Sequence, residues 1–134
     1  FKDLSNVTTV TIPETTTVIG SYAFQGMTNL STINSEIAGT YNLPLGITII
    51  NTNTFMDNTS MIDLITGDIT YIGNYAFSGA TSLLRINSTT DGEFIIPDSV
   101  TSIGTGAFED VNLVTSMTLP FIGNSATSGV FGAN

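Results

Sequence analysis

The sequence contains no cysteine, no histidine and no tryptophan, and only Lys2 and Arg85 among its 134 residues are basic. Without cysteine no disulfide can form, and without cysteine and histidine most transition-metal sites lose their usual ligands. Eleven acidic residues leave a net charge of −9. Nucleic acids and anionic membrane surfaces require clustered basic side chains, so neither is an expected partner.

Long apolar segments are also missing. No apolar run approaches the roughly 18 residues of a membrane span, so membrane insertion is not expected. Charged residues make up 10% of the chain, well below the roughly 25% of typical globular proteins. Threonine, isoleucine and valine favour strands, whereas glycine and asparagine favour turns. The composition therefore predicts many short strands and turns.

Phenylalanine marks an internal repeat. A long, a short and again a long interval separate four marker phenylalanines, Phe24, Phe55, Phe77 and Phe108. An isoleucine lies five positions before each of them, at Ile19, Ile50, Ile72 and Ile103. The step from the first marker to the third equals the step from the second to the fourth, so the pattern is a duplication of a pair of units. Such short units cannot bury an apolar face alone, so they stack into a solenoid in which each unit covers its neighbours.

Two of the units are longer than the others, and the additional segments are residues 35–42 and 88–95. Each segment follows an Ile-Asn pair, has a central glycine and carries an aromatic residue two positions after that glycine. Asp91-Gly92 is typical of a tight hairpin turn, because glycine adopts positive φ at little cost. The sequence therefore predicts two β-hairpins that present Tyr41 and Phe94 beside the solenoid.

The repeat unit resembles a known family. Its closest copies are residues 7–26, VTTVTIPETTTVIGSYAFQG, and residues 95–108, IIPDSVTSIGTGAF. They resemble the BspA-like family of bacterial leucine-rich repeats, whose unit reads roughly L-x-x-I-x-I-P-x-x-V-x-x-I-G-x-x-A-F-x-x-C-x-x-L. The usual cysteine of that unit is replaced here by Met27, Asn58, Ala80 and Val111. The tail from Leu119 to Gly132 departs from the unit.

The requirement that the repeat units stack and the family resemblance both predict the same fold. We expect a mainly β repeat solenoid, a right-handed leucine-rich-repeat superhelix with short strands and with single helical turns at the Ala-Phe pairs. Because strand side chains alternate, Val10 and Ile12 are expected to point inward while Thr9 and Thr11 face solvent. Residues 1–134 are expected to form a single domain of about five coils, and to be a fragment of a longer protein.

The sequence contains few combinations of residues that could form a catalytic site. Acid–base catalysis needs a pair of carboxylates, and Asp91 with Glu93 is the best candidate, although solvated turn residues explain both. Serine and threonine are abundant, but no histidine or cysteine can activate them. No calcium-binding loop has the required spacing of oxygen ligands. The sequence therefore predicts no enzyme, no metal site and no cofactor.

The resemblance implies a cell-surface or extracellular setting and partner binding on the strand-lined face. We therefore expect a non-enzymatic protein- or glycan-binding repeat module that acts in adhesion. The alternative is a structural spacer that holds other domains away from the cell surface, and the sequence leaves the oligomeric state open. The side chains expected to bind, on the strand face and the hairpins, are Thr9, Thr11, Thr32, Asn34, Tyr41, Asp63, Arg85, Asn87, Phe94 and Ser116.

Overall fold

The computed structural model describes residues 1–121, so the tail beyond Phe121 lies outside the described residues. Ten short strands within residues 1–121 form two sheets, and every strand pair is parallel. A large sheet has the order β1-β2-β3-β5-β7-β8-β10, and a small sheet has the order β4-β6-β9. Their bounds are β1 Thr9–Val10, β2 Thr32–Ile33, β3 Thr40–Asn42, β4 Ile49–Ile50, β5 Asp63–Ile65, β6 Tyr71–Ile72, β7 Arg85–Ile86, β8 Glu93–Ile95, β9 Ser102–Ile103 and β10 Ser116–Thr118. The predicted β-solenoid is confirmed.

The hydrophobic core is enclosed by the two sheets and by the stacked turns that contain the marker phenylalanines. Successive residues of a strand point to opposite faces, and the large sheet accordingly directs one aliphatic or aromatic residue per strand inward. Ile12 is buried and Val10 packs against the core, while Thr9 and Thr11 are exposed, as predicted. The inner row of the large sheet consists of Val10, Ile33, Tyr41, Leu64, Ile86, Phe94 and Met117.

The marker phenylalanines form a continuous stack inside the solenoid. Ring centroids of neighbouring rings from Phe24 to Phe108 lie 5.5, 5.7 and 5.3 Å apart, with interplanar angles of 9°. Phe24, Phe55 and Phe77 are buried, and Phe108 is partly buried at the end of the stack. Phe1 extends the stack at 6.3 Å from Phe24, although it is 78% exposed. The periodicity of the sequence did not reveal this fifth ring.

The expected helical turns at the Ala-Phe pairs are not formed. Within residues 1–121 these segments are hydrogen-bonded turns and no residue is helical. Tyr22 and Gly26, two positions before and after Phe24, have φ of +62° and +68°. A right-handed helix requires negative φ throughout, so these residues redirect the backbone. The Phe24 N–H then donates to the Thr54 carbonyl of the next coil at 3.0 Å.

The hairpin prediction was wrong for both insertions. Strands β2 and β3 pair in parallel, with Ile33 opposite Tyr41, and β7 and β8 repeat this arrangement with Ile86 opposite Phe94. Each insertion therefore adds a strand to the large sheet through a short crossover link. We name residues 34–39 the first link and residues 87–92 the second link. The inner face is filled by the core, so the links cross the outer face.

The additional strands make the large sheet the longer side of the solenoid. Between the coils of Phe24 and Phe108 the aromatic stack advances in three steps of 5.3 to 5.7 Å. Over the same coils the sheet advances from β2 to β10 in five strand spacings, which is about 24 Å at ordinary strand separation. The coils must therefore splay toward the large sheet, which makes that side convex.

Candidate binding surface

One outward side chain from each strand of the large sheet belongs to a continuous row across its outer face. Thr9 lies opposite Thr32, Asp63 lies between Thr40 and Arg85, and Glu93 lies opposite Ser116. Ile33 pairs with Tyr41 and Ile86 pairs with Phe94. The residues one position earlier therefore also lie side by side, Thr32 beside Thr40 and Arg85 beside Glu93. The outer row therefore consists of Thr9, Thr32, Thr40, Asp63, Arg85, Glu93 and Ser116. Five of its seven members were expected from the sequence.

Thr40 and Glu93 were missed because they belong to the strands mistaken for hairpin arms. A signal for the first was present, since Thr40-Tyr41-Asn42 repeats the pattern of Thr32-Ile33-Asn34 shortly after it. Such a repeat predicts a second strand with the same inward and outward residues.

Access to the outer row is uneven. Thr9 and Ser116 at its two ends are exposed, whereas Thr32 and Thr40 are only 8% and 5% exposed beneath the first link. The hydroxyls of Thr9 and Thr32 lie 3.2 Å apart and share a hydrogen bond. A partner on this face therefore contacts the first link rather than the two covered threonines.

A charged cluster surrounds the second link. Nε of Arg85 lies 3.4 Å from Oδ2 of Asp63, and Nη1 donates to Oδ1 of Asp91 at 2.5 Å. The Ser88 hydroxyl also donates to the Glu93 carboxylate. The hydrogen bond to Asp91 and the charge of Asp63 raise the pKa of the Arg85 guanidinium, while partial desolvation acts in the opposite direction. These contacts bind the second link to the outer row.

Two predicted binding residues, Asn34 and Asn87, form hydrogen bonds with the backbone. Asn34 and Asn87 adopt φ of +48° and +51° at the starts of the two links. The Asn34 amide accepts from the Ile12 N–H at 2.8 Å and donates to the Ile12 carbonyl at 3.0 Å. The Asn87 carbonyl oxygen accepts from the Thr66 N–H at 2.8 Å. Asparagine tolerates this conformation better than most residues, so both side chains have structural roles.

Tyr41 and Phe94 are core residues, which corrects their prediction as exposed hairpin aromatics. Both are fully buried because the parallel pairing turns them inward. The Tyr41 hydroxyl lies 2.6 Å from the Leu30 carbonyl oxygen and 3.0 Å from Oδ1 of Asn58. Burial raises the pKa of this phenol well above its usual value. Phe94 contacts Phe108 with ring centroids 5.8 Å apart.

Asp91 and Glu93, the best catalytic candidates of the sequence, lie on the outer face and are bonded to Arg85 and Ser88. Within residues 1–121 no three metal-ligating side chains come together, and no helix there is long and apolar enough to cross a membrane. An open groove beside the first link is lined by residues 9–14 and 34–36. The described surface therefore offers an extended face and a shallow groove.

The repeat geometry agrees with a family model. Residues 1–95 and 90–133 match the BspA type leucine rich repeat region in six copies. The chain belongs to this family. Leucine-rich repeats are a non-catalytic interaction fold that typically mediates protein contacts through extended surfaces. No curated protein matches the chain.

Two solved structures are similar to this BspA-type repeat chain. A leucine-rich repeat protein from Bacteroides ovatus aligns with a TM-score of 0.72 and 27% identity, over 90% of this chain and 27% of that one. The T. pallidum leucine-rich repeat protein aligns with a TM-score of 0.74 and 26% identity, over 99% of this chain and 57% of that one. The chain thus spans less than two thirds of either relative.

Proposed function

We propose that this BspA-type repeat chain is a non-enzymatic protein-binding module of a bacterial cell-surface or secreted protein, with a role in adhesion. The outer face of the large sheet is its binding surface. Family membership supports the protein-binding role, because leucine-rich repeats typically act in this way. The bacterial relatives support the bacterial setting.

The observation that carries this proposal is the register of the outer row. Six parallel strand spacings separate Thr9 from Ser116, which corresponds to about 29 Å. A stable protein interface buries about 800 Å² on each partner, and a convex face of this length can supply such an area. The neighbouring side chains are fixed by the backbone, so a partner meets a pre-formed surface with little entropic cost of ordering.

Charge divides this face into two parts. Asp63, Arg85 and Glu93 follow one another in the outer row, and Asp91 reaches the same cluster from the second link. The first part of the row contains only threonine. Electrostatic complementarity determines specificity and association rate, so the charged cluster is the expected centre of recognition.

The spacer alternative draws support from the covered part of the face. Thr32 and Thr40 lie beneath the first link, and the amides of Asn34 and Asn87 are bonded to the backbone. A spacer needs only a stable, elongated fold, and these contacts contribute to the stability of the solenoid. The two functions differ in one property, because a spacer has no saturable ligand.

Binding to immobilised extracellular-matrix proteins separates the two functions. We expect saturable binding at micromolar concentrations, and we expect Arg85→Gln to weaken it about ten-fold or more because the charged cluster then loses its cation. Lys2→Gln is the matched control, since it removes the only other basic side chain, which lies 6.0 Å from the Tyr22 ring and away from the large sheet. Absence of saturable binding, or equal effects of both variants, would contradict the proposed site.

A further inference from the structure

The outer surface of the small sheet has a different chemistry from the rest of the chain. It is built from residues 47–54, 69–76 and 100–107, and residues 16–23 of the preceding coil continue it through hydrogen bonds to residues 51 and 52. None of these segments contains a charged residue, although the chain has eleven acidic ones. We name this surface the neutral face. Because it lies on another sheet, it is separate from the surface proposed above for protein binding.

Two rows of side chains cross the neutral face in register. Ile49 of β4 lies opposite Tyr71 of β6, which lies opposite Ser102 of β9. The residue before each of these positions is an exposed threonine, and the corresponding residue of the first coil is also threonine: Thr17, Thr48, Thr70 and Thr101. The Thr70 N–H donates to the Thr48 carbonyl at 2.7 Å, and the Thr101 N–H donates to the Thr70 carbonyl at 2.9 Å. Backbone bonds therefore hold these threonines at regular strand spacing.

Apolar and aromatic side chains are exposed among these hydroxyl groups. Val18 is 72% exposed and Ile49 is 41% exposed, while Tyr22 and Tyr75 are also exposed. The core does not require them, because Ile50 and other residues of the inward row fill it. Tyrosine presents an apolar ring together with a polar hydroxyl. The neutral face thus combines exposed rings, aliphatic groups and hydroxyls. Charges lie at its margin, where Lys2 lies 6.0 Å from the Tyr22 ring and the Glu109 carboxylate lies beside Gly106.

The four segments offer no charged side chain that could pair with a charged ligand, and a buried charge without a partner is costly, so these segments favour an uncharged ligand. The size of the face argues against a stable protein interface. Four coils at strand spacing span about 15 Å, and a comparable width gives an area of about 200 Å². Stable protein interfaces bury about 800 Å² on each partner. A short segment of a chain-like ligand with many hydroxyl groups fits this area better.

We propose that the neutral face binds a segment of a neutral polysaccharide. The apolar faces of its sugar rings lie on Tyr71 and Ile49, and its hydroxyls exchange hydrogen bonds with the threonine row. The Thr70 and Thr101 hydroxyls donate to the Thr48 and Thr70 carbonyls at 3.1 Å in both cases, so toward a sugar they act as acceptors of its hydroxyl hydrogens. Regular spacing along the solenoid presents equivalent groups to successive sugar residues.

Affinity electrophoresis in native gels tests this proposal. The purified chain is run through gels that contain xyloglucan, β-glucan or mannan, and through a gel that contains the acidic polysaccharide polygalacturonate. We expect retardation by at least one neutral polysaccharide and none by the acidic one. We expect Ile49→Glu and Tyr71→Ala each to weaken the retardation about ten-fold, which is about 1.4 kcal/mol. Circular dichroism of each variant verifies that the strands remain folded.

Ile65→Glu is the matched control, because Ile65 is also 41% exposed but belongs to β5 of the large sheet. It introduces the same charge and should leave the retardation unchanged. Absence of retardation by all neutral polysaccharides, or equal effects of Ile49→Glu and Ile65→Glu, would overturn the proposal. So would a concentration-dependent dimer in sedimentation that Ile49→Glu abolishes, because the face would then bind a second copy. None of these outcomes depends on the matrix-protein binding proposed above.

Discussion

The two long coils of this chain share one backbone design but differ in a buried pair of side chains. In the first, Tyr41 lies beside Asn58, whose Nδ2 donates to the Phe24 carbonyl at 2.5 Å. In the second, the equivalent positions of the duplicated pattern hold Phe94 and Val111, which are also buried. The first long coil therefore has a hydrogen-bonded polar pair where the second long coil has an apolar pair. Neither pair leaves a buried side-chain polar atom without a partner, which would be the costly state.

The backbones of the two links correspond closely. The N–H groups of Gly39 and Gly92 donate to Ser31 and Leu84 at 2.8 and 2.9 Å. The hydroxyls of Ser35 and Ser88 accept from the N–H two positions later at 3.0 Å in both cases. Their outer surfaces differ, because Ala38 and Thr40 correspond to Asp91 and Glu93. The comparison shows that buried positions change in matched pairs, whereas the outer surface varies without affecting the coil.

The largest effect is expected where the aromatic stack is fully enclosed. Phe77→Ala should lower the free energy of unfolding by about 3–5 kcal/mol, because it leaves a cavity between Phe55 and Phe108. Phe24 is its counterpart in the first half of the duplication, and Phe24→Ala should cost less because its neighbour Phe1 is mostly exposed. Urea unfolding measures both changes. Equal losses would show that the stack is not enclosed as described.

The glycines of the two links should also differ. Gly39→Ala places a methyl group 2.6–2.8 Å from three carbons of Ile62, including its Cβ, whereas Gly92→Ala places one against the Thr115 hydroxyl. Both positions have positive φ, at +82° and +79°. We expect a loss of about 2–3 kcal/mol in unfolding free energy for Gly39→Ala, measured by urea unfolding. The loss for Gly92→Ala should be smaller, because a hydroxyl can rotate away whereas the Cβ of Ile62 is fixed to the backbone.

A double-mutant cycle tests the exchange of buried pairs. Tyr41→Phe should destabilise the chain by about 1–2 kcal/mol, because Oδ1 of Asn58 and the Leu30 carbonyl lose their hydroxyl donor. Asn58→Val should cost about 1 kcal/mol, because the Tyr41 hydroxyl and the Phe24 carbonyl each lose one of two hydrogen-bond partners. The double variant reproduces the pair found in the second long coil. It should be at least about 1 kcal/mol more stable than the sum of the single effects predicts. Thermal or urea unfolding gives this coupling energy, and simple additivity would refute the matched-pair account.

The smallest effect is expected at the surface cluster. Arg85→Thr converts this position to the residue found at Thr32 and removes the contacts with Asp63 and Asp91. Ion pairs of this exposure contribute about 1 kcal/mol or less. The loss of stability should decrease further at high salt because of screening. A loss above about 2 kcal/mol would show that the cluster is part of the folding core.

The register of the solenoid could be predicted from the sequence because the marker phenylalanines, their preceding isoleucines and the inward residues recur at fixed intervals. Stacked coils require that agreement. The outward placement of Thr9, Asp63, Arg85 and Ser116 followed from strand alternation. These features depend on local periodicity and on the need of each coil to bury one face.

The features that were mispredicted depend on the path of the chain between strands. Asp91-Gly92 correctly indicated positive φ, but that conformation serves a crossover link rather than a hairpin. Helical turns were expected at the Ala-Phe pairs, where positive φ at a tyrosine is uncommon. Tyr22 and Tyr75 adopt positive φ here, since hydrogen bonds between coils stabilise the turns. Such bonds join residues that are distant in the sequence, and local propensity does not reveal them.

The central claim is that each insertion adds a parallel strand, so that β1 and β10 are separated by six strand spacings. Because the chain has no cysteine, spin labels can be attached specifically at Thr9→Cys and Ser116→Cys, both exposed positions of the outer row. Pulsed electron paramagnetic resonance should give a distance of about 29 Å, which corresponds to six spacings. A distance of about 19 Å would correspond to four spacings and would mean that the insertions project from the sheet as hairpins.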